Sequence, residues 1–219
     1  MPRALFEKTG NAVYISHLDL MRLFQRSFKR AGLPLTHTKG FNPRPSVSIA
    51  LPLSLGVESV CELLDFELEG VSYSCEEIKE RLNGTLTDGV RILQVYENGA
   101  KLKNLSYLTC EIRMEYDSGI DPEAIDRIRS LFGQDQVMVE KKGKNGITEQ
   151  NITDMIRKIS AEVTGEHEIL LEATICCQNP ALNPAQLTAA IARYLPELAP
   201  DFTRICRKEI FDNKNEIFR

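Results

Sequence analysis

Strand and helix patterns follow one another in the same order in both halves of the chain. In the first half, Ser16 with Asp19 forms a capping box that predicts a helix from residue 17 to residue 31, and Ser74 with Glu77 predicts a second helix. Short apolar or alternating segments predict strands at residues 4–7, 37–39 with 47–50, 61–68 and 90–96. The resulting order, βαββαβ, is typical of helices packed on one face of an antiparallel sheet.

The second half repeats this plan with one addition. Alternating apolar residues predict a strand over residues 105–116, and Asp121-Pro122 begins a helix that ends at Gly133. Later patterns predict strands at residues 136–142, 169–177 and 202–211, a helix over residues 183–195, and an inserted helix at about residues 154–164. The polar segment 97–104 predicts a linker. We therefore expect an α+β fold of tandem ferredoxin-like repeats with antiparallel sheets, residues 1–98 and residues 104–219.

The composition is that of a folded protein that stays inside the cell. Hydrophobic residues make up 42% of 219 residues, which argues against disorder. The longest apolar stretch, residues 47–57, is interrupted by Pro52 and Gly56, so we predict neither a signal peptide nor a membrane-spanning helix. The six cysteines show no framework or metal-ligand spacing, which predicts reduced thiols, a cytoplasmic protein, and no metal or cofactor.

Positive charge is concentrated near the start of the chain. Residues 1–57 contain eight Lys or Arg against Glu7 and Asp19, a net charge of +6, while the remaining residues carry a net charge of −10. In the first helix, an apolar stripe is opposed by a face of four cations, Arg22, Arg26, Lys29 and Arg30. The alternative is that these cations form only the solvated outer face of an amphipathic helix. Segregated charge of this kind favours an anionic partner.

The segment after this helix, THTKGFNPRPS, predicts a stiff exposed loop because glycine and two prolines interrupt regular pairing. It contains groups that can hold phosphates and stack or contact a base: His37, Lys39, Phe41, Asn42 and Arg44. The alternative is that Phe41 packs into the core and the prolines only turn the chain. A second basic turn is predicted around Gly143 by Lys141, Lys142 and Lys144, with a solubilising loop as its alternative.

The runs ISHLDLMRLFQRSFKRAGLPL and GFNPRPSVSIALPLSLGVES closely resemble the radical-SAM-associated domain family of uncharacterised function. The resemblance covers about residues 5–68 and implies a bacterial intracellular protein that works beside a radical-SAM enzyme, with a possible role in RNA metabolism. A radical-SAM domain requires cysteines at CxxxCxxC spacing, and no such spacing occurs in this sequence. The resemblance is therefore to the stand-alone form, and it carries over no catalytic residue.

We predict from these features an RNA-binding accessory module that acts with a separate radical-SAM enzyme in RNA modification or processing. One alternative is an adaptor that docks its basic face on that enzyme without nucleic acid. Another is a metal-independent RNA endonuclease with His37 as general base and a neighbouring cation on the phosphate. Catalysis is left open, although the common hydrolase and P-loop motifs are missing, and the residues indicate no preference for DNA.

Overall fold

A computed structural model describes residues 2–70, 72–143 and 146–219. The chain divides into two compact units. Unit 1 comprises the chain up to Asn104 together with Phe218–Arg219, and unit 2 comprises Leu105–Ile217. The described residues form an α+β protein whose strands pair in antiparallel fashion within each unit. No helix in the described ranges is long and apolar enough to cross a membrane.

The elements of unit 1 in chain order are β1 (Arg3–Lys8), α1 (His17–Arg30), β2 (Val47–Ile49), β3 (Glu58–Phe66), α2 (Cys75–Asn83) and β4 (Val90–Tyr96). Its strands lie in the order β4-β1-β3-β2. The prediction of a strand at residues 37–39 is wrong, because there the backbone makes only an isolated bridge from His37 to Pro45. Proline has no N–H to donate, so Pro43 and Pro45 prevent a longer ladder.

The apolar stripe of α1 packs on the sheet of unit 1. Phe24 meets Phe6 of β1 edge to face, with ring centroids 4.9 Å apart, and Phe28 contacts Phe66 of β3 at 5.0 Å. These residues belong to a buried cluster that also includes Leu82 of α2. The helical spacing seen in the sequence therefore places one face of α1 in the core and leaves its basic face outward.

The predicted capping box fixes the start of α1. Ser16 Oγ accepts a hydrogen bond from Asp19 N at 3.2 Å and donates one to Asp19 Oδ2 at 2.7 Å. This bond, with help from Arg22, holds the pKa of Asp19 below its ordinary value. The stabilisation linked to Asp19 is therefore present above the ordinary carboxyl pKa and is lost as the pH falls through the lowered value.

We expect Ser16→Ala to lower the free energy of unfolding by about 1 kcal/mol at neutral pH, because the first turn of α1 loses its side-chain acceptor. Urea denaturation followed by circular dichroism measures the change. The difference from wild type should shrink in acid, where Asp19 is protonated in both proteins. A difference that does not change between neutral and acidic pH would contradict a role for the Asp19 carboxylate.

The elements of unit 2 in chain order are β5 (Leu105–Glu115), α3 (Ala124–Phe132), β6 (Met138–Gly143), β7 (Gly146–Asn151), β8 (Ile156–Gly165), β9 (Glu168–Cys176), α4 (Ala185–Tyr194) and β10 (Phe202–Asp212). Four of its strands lie in the order β10-β5-β9-β8, while β6 and β7 pair only with each other among the described residues. This β6–β7 hairpin lies against α4, since Met138 N donates to the Tyr194 hydroxyl at 3.0 Å and Arg193 pairs with Glu149 at 2.8 Å.

The predicted helix at residues 154–164 is wrong, because this segment forms strand β8 after a short 3-10 turn. Ile156, Ile159 and Val163 recur at helical spacing, yet Ile159, Ala161 and Val163 also alternate as a strand does. Pairing with β9, with Ala161 opposite Leu171, decides between the two periods. Because Ala161 and Leu171 belong to different strands, this contact does not show in the period of residues 154–164 alone.

Candidate nucleic-acid interface

Residues 36–46, which we call the finger, form a hairpin-like projection from unit 1. Ser46 N donates to Thr36 O and Thr38 N donates to Arg44 O, both at 2.8 Å, so the two arms are cross-linked. Arg44 N also donates to Thr38 Oγ1 at 3.0 Å. At the base of the finger, Thr36 N donates to the backbone oxygen of Glu67 at 2.9 Å, and Thr36 Oγ1 donates to Glu67 Oε2 at 3.0 Å. The loop predicted from glycine and proline is therefore braced by hydrogen bonds along its length.

The tip of the finger carries an aromatic ring that packs against nothing. Phe41 is fully exposed, at 103% of its reference area, so the alternative that it fills the core is wrong. Lys39, Asn42 and Arg44 are exposed beside it, and the finger contains no carboxylate. The tip turns at Gly40, whose φ of 149° is one that other residues rarely adopt. His37 lies on the first arm, with its side chain exposed.

The four cations predicted for the outer face of α1 are not equivalent. Arg22 pairs with Asp19 at 2.9 Å, and Arg30 donates to Thr85 O at 2.6 Å and to Ser27 Oγ at 3.2 Å. Arg30 therefore joins α1 to the segment after α2, a contact 55 residues away that no sequence pattern signals. Arg26 and Lys29 are exposed and have no side-chain partner among the described residues, so they are free to bind an anion.

Two of the eight cations counted in the sequence are buried. Arg3 is paired with Asp65, and Lys8 Nζ donates to Val13 O at 3.1 Å and to Ile15 O at 2.9 Å. Burial lowers the pKa of Lys8 from its ordinary value. The net charge of +6 therefore overstates the positive charge available on the surface. Among the described residues 2–57, the exposed cations without an ion pair include Arg26, Lys29, Lys39 and Arg44. Arg30 is also exposed, but it donates to a backbone carbonyl.

Only part of the second predicted basic turn, in unit 2, belongs to the described residues. Lys141 is exposed on β6, and the backbone of Lys142 pairs with Ile147 of β7. Lys144 lies outside the described residues, as does the side chain of Lys142. In the last strand, β10, Arg204 pairs with Glu115 at 2.6 Å and Lys208 pairs with Glu111 at 3.2 Å. The charges of these cations are therefore neutralised within unit 2.

Two kinds of side chain bear on catalysis, the ring of His37 and the cysteine thiols. Within the described ranges, no side chain hydrogen-bonds to the ring of His37, so nothing there orients it as a general base. Burial raises the pKa of both Cys110 and Cys177 to about 12, which disfavours the nucleophilic thiolate. The described residues also contain no group of three His, Cys, Asp or Glu that could hold a metal ion.

A bacterial protein family matches most of the chain. Residues 2–184 match the family described as "Uncharacterized protein conserved in bacteria (DUF2344)". The chain belongs to this family. No curated protein matches it. The family description assigns no activity, and it does not mention a radical-SAM enzyme.

Solved structures give a likeness at the level of the fold. A chain in the crystal structure of a Cbf5-Nop10-Gar1 complex is 9% identical, with a TM-score of 0.51 over 95% of this chain. Only 48% of that chain is covered, so this chain spans about half its length. An unknown protein from Galdieria sulphuraria is 8% identical, with a TM-score of 0.27 over 94% of this chain and 96% of that one. The first likeness extends over both units and concerns the fold alone.

Proposed function

We propose that this chain binds RNA through the finger and the outer face of α1. The observation that carries this proposal is the fully exposed ring of Phe41 at the tip of a braced finger that has cations and no carboxylate. Single exposed apolar side chains are common on protein surfaces. Phe41 differs because its ring is fully exposed on a hydrogen-bonded loop among cations, and we infer from this combination that it serves a partner. Cations beside a free aromatic ring suit a polyanion with stackable bases.

The contacts divide by chemistry. Arg26 and Lys29 on α1 would bind phosphates, as would Lys39 and Arg44 in the finger, because exposed cations contribute most when they displace condensed counterions. Phe41 would stack on a base, and the amide of Asn42 can both donate to and accept from a base edge. His37, on the first arm of the finger, would contact the sugar-phosphate backbone of the RNA. Arg22 and Arg30 are left with supporting roles, because both already have partners in unit 1.

The salt dependence of binding tests this proposal. We expect log affinity for a labelled single-stranded RNA of mixed sequence to fall linearly with log salt, by about 0.7 per phosphate contact. Arg26→Ala/Lys29→Ala should reduce that slope by about 1.4. Fluorescence anisotropy across a salt series measures both values.

Lys101→Ala/Lys103→Ala is the matched control, because it removes the same charge from exposed positions of unit 1 that belong to neither the finger nor α1. Its slope should equal that of wild type. Absence of RNA binding by the wild type at low salt would refute the proposal. The same basic face would then be tested for docking on an acidic protein.

We also infer three finer points about the setting of this activity. The two units would be tandem ferredoxin-like repeats, which is supported by their equivalent strand orders, β4-β1-β3-β2 and β10-β5-β9-β8. The chain would work in the bacterial cytoplasm, as its composition suggests. A separate radical-SAM enzyme would be its partner in RNA modification or processing, a proposal that rests on the sequence resemblance alone.

A further inference from the structure

The tip of the finger offers one large stacking surface. Phe41 is the single Phe, Tyr or Trp in residues 36–46, while His37 lies on the first arm. The ring of Phe41 stands at the tip of a projection instead of on the face of a sheet. Sheet platforms that bind single strands present several aromatic rings to successive bases. A lone ring at a tip can contact one base at a time, so the number of bases that the finger can read is small.

The finger is also braced against folding back onto the protein. Its arms are joined by the bonds between Thr36 and Ser46 and between Thr38 and Arg44, and Pro43 and Pro45 restrict the backbone of the second arm. Phe41 is therefore presented in solvent before any partner arrives. Pre-organisation of this kind reduces the entropy lost on binding.

The balance of two stacking effects decides which RNA can use this ring. Stacking one base on an aromatic side chain raises affinity by about 5- to 150-fold. Opening a continuous base stack to admit a side chain costs a comparable amount, and the cost is least where the base is already unpaired. Phe41 therefore gives a net gain at an unpaired base and little or none within an intact duplex.

The shape of double-stranded RNA leads to the same conclusion. Its major groove is too deep and narrow for side chains to read, and its minor groove is wide and shallow. A projection with a ring at its tip has no base face to contact in either groove. Cations on the finger can still reach phosphates on both sides of an interruption in the duplex.

We propose that the finger recognises an unpaired nucleotide within otherwise paired RNA, with Phe41 stacking on its base and Lys39 and Arg44 contacting the flanking phosphates. This inference rests on the proposed RNA binding and names the class of RNA that the same site takes. The amide of Asn42 lies next to the ring in the chain, where it can contact the edge of the stacked base.

Three RNA duplexes of the same sequence test the inference: a fully paired duplex, one with a single bulged adenosine, and one with an abasic bulge. Their ends are alike, so stacking at the ends cancels in the comparison. The two bulged duplexes have the same charge, one phosphate more than the paired duplex, so the abasic bulge controls for that phosphate. We expect the affinity of the full chain for the adenosine bulge to be at least about 10 times its affinity for the paired duplex. The abasic bulge should bind within about twofold of the paired duplex, because it provides the gap without the base.

Phe41→Ala should lower the affinity for the adenosine bulge until it matches that for the abasic bulge, because the base loses the ring on which it stacks. Its thermal unfolding midpoint should equal that of wild type, since the ring is fully exposed. Phe202→Ala removes an exposed ring from unit 2 and is the matched control, which should keep the preference for the adenosine bulge.

The possible failures of the two proposals can be told apart. The three duplexes could bind equally well while the salt slope still falls in Arg26→Ala/Lys29→Ala. That result would overturn the proposed recognition of an unpaired nucleotide and leave the proposed RNA binding intact. A Phe41→Ala variant that loses the same factor on all three duplexes would overturn it as well. No binding to any of them, nor to single-stranded RNA at low salt, would overturn both proposals.

Discussion

Phe24→Ala is expected to lower the free energy of unfolding by about 3–5 kcal/mol. Phe24 is 0% exposed and meets Phe6 edge to face, so the substitution leaves a cavity between α1 and the sheet of unit 1. Urea denaturation of the purified chain, followed by circular dichroism, measures the change.

Leu18→Ala is the control for this prediction. Leu18 lies on the same helix but is 66% exposed, so its removal should change the free energy of unfolding by no more than about 0.5 kcal/mol. A loss below about 1 kcal/mol in Phe24→Ala would mean that α1 does not pack on the sheet as described.

Asp65→Ala is expected to cost about 3–5 kcal/mol, because it leaves the buried guanidinium of Arg3 without its counter-charge. Arg3 Nε and Nη2 donate to the two carboxylate oxygens of Asp65 at 2.5 and 3.1 Å. Its remaining partners, Ala100 O at 3.0 Å and the ring of Phe218 at 5.4 Å, carry no net charge. The same denaturation experiment measures the loss.

The pair between Arg91 and Glu7 on the same sheet provides a matched comparison. Arg91 Nε lies 2.9 Å from Glu7 Oε1, but the Arg91 side chain is 66% exposed. Arg91→Ala should therefore lower the free energy of unfolding by less than about 1 kcal/mol. If Asp65→Ala cost no more than Arg91→Ala, the Arg3–Asp65 pair would not be excluded from water. The contrast isolates burial as the cause, since both changes remove one member of an ion pair.

The local features of this fold could be predicted because their causes are local. Ser16 and Asp19 cap α1 through bonds within one turn, and the spacing of Phe24 and Phe28 selects the buried face. Gly40 with the two prolines marks the finger as a loop, again from residues that act on their own backbone. The α+β class follows from the order of such elements.

The errors concern features that depend on residues outside the segment itself. Segment 154–164 has both a helical and a strand period, and β9 selects the strand. Arg30 has the spacing of a phosphate-binding cation, but Thr85 holds it. Likewise, sequence alone leaves open whether Phe41 lies in the core or in water, because burial is decided by what else packs nearby.

The last two residues of the chain pack into the unit that the first residues begin. The guanidinium of Arg3 lies over the ring of Phe218, and Ala100 N donates to Arg219 O at 2.6 Å. In the sequence, all of unit 2 therefore stands between two segments of unit 1. Domains generally assemble as units while the ribosome adds residues from the N-terminus onward. Unit 1 receives its closing residues only after unit 2 has been synthesised. Of the two units, unit 1 is therefore begun first and completed last.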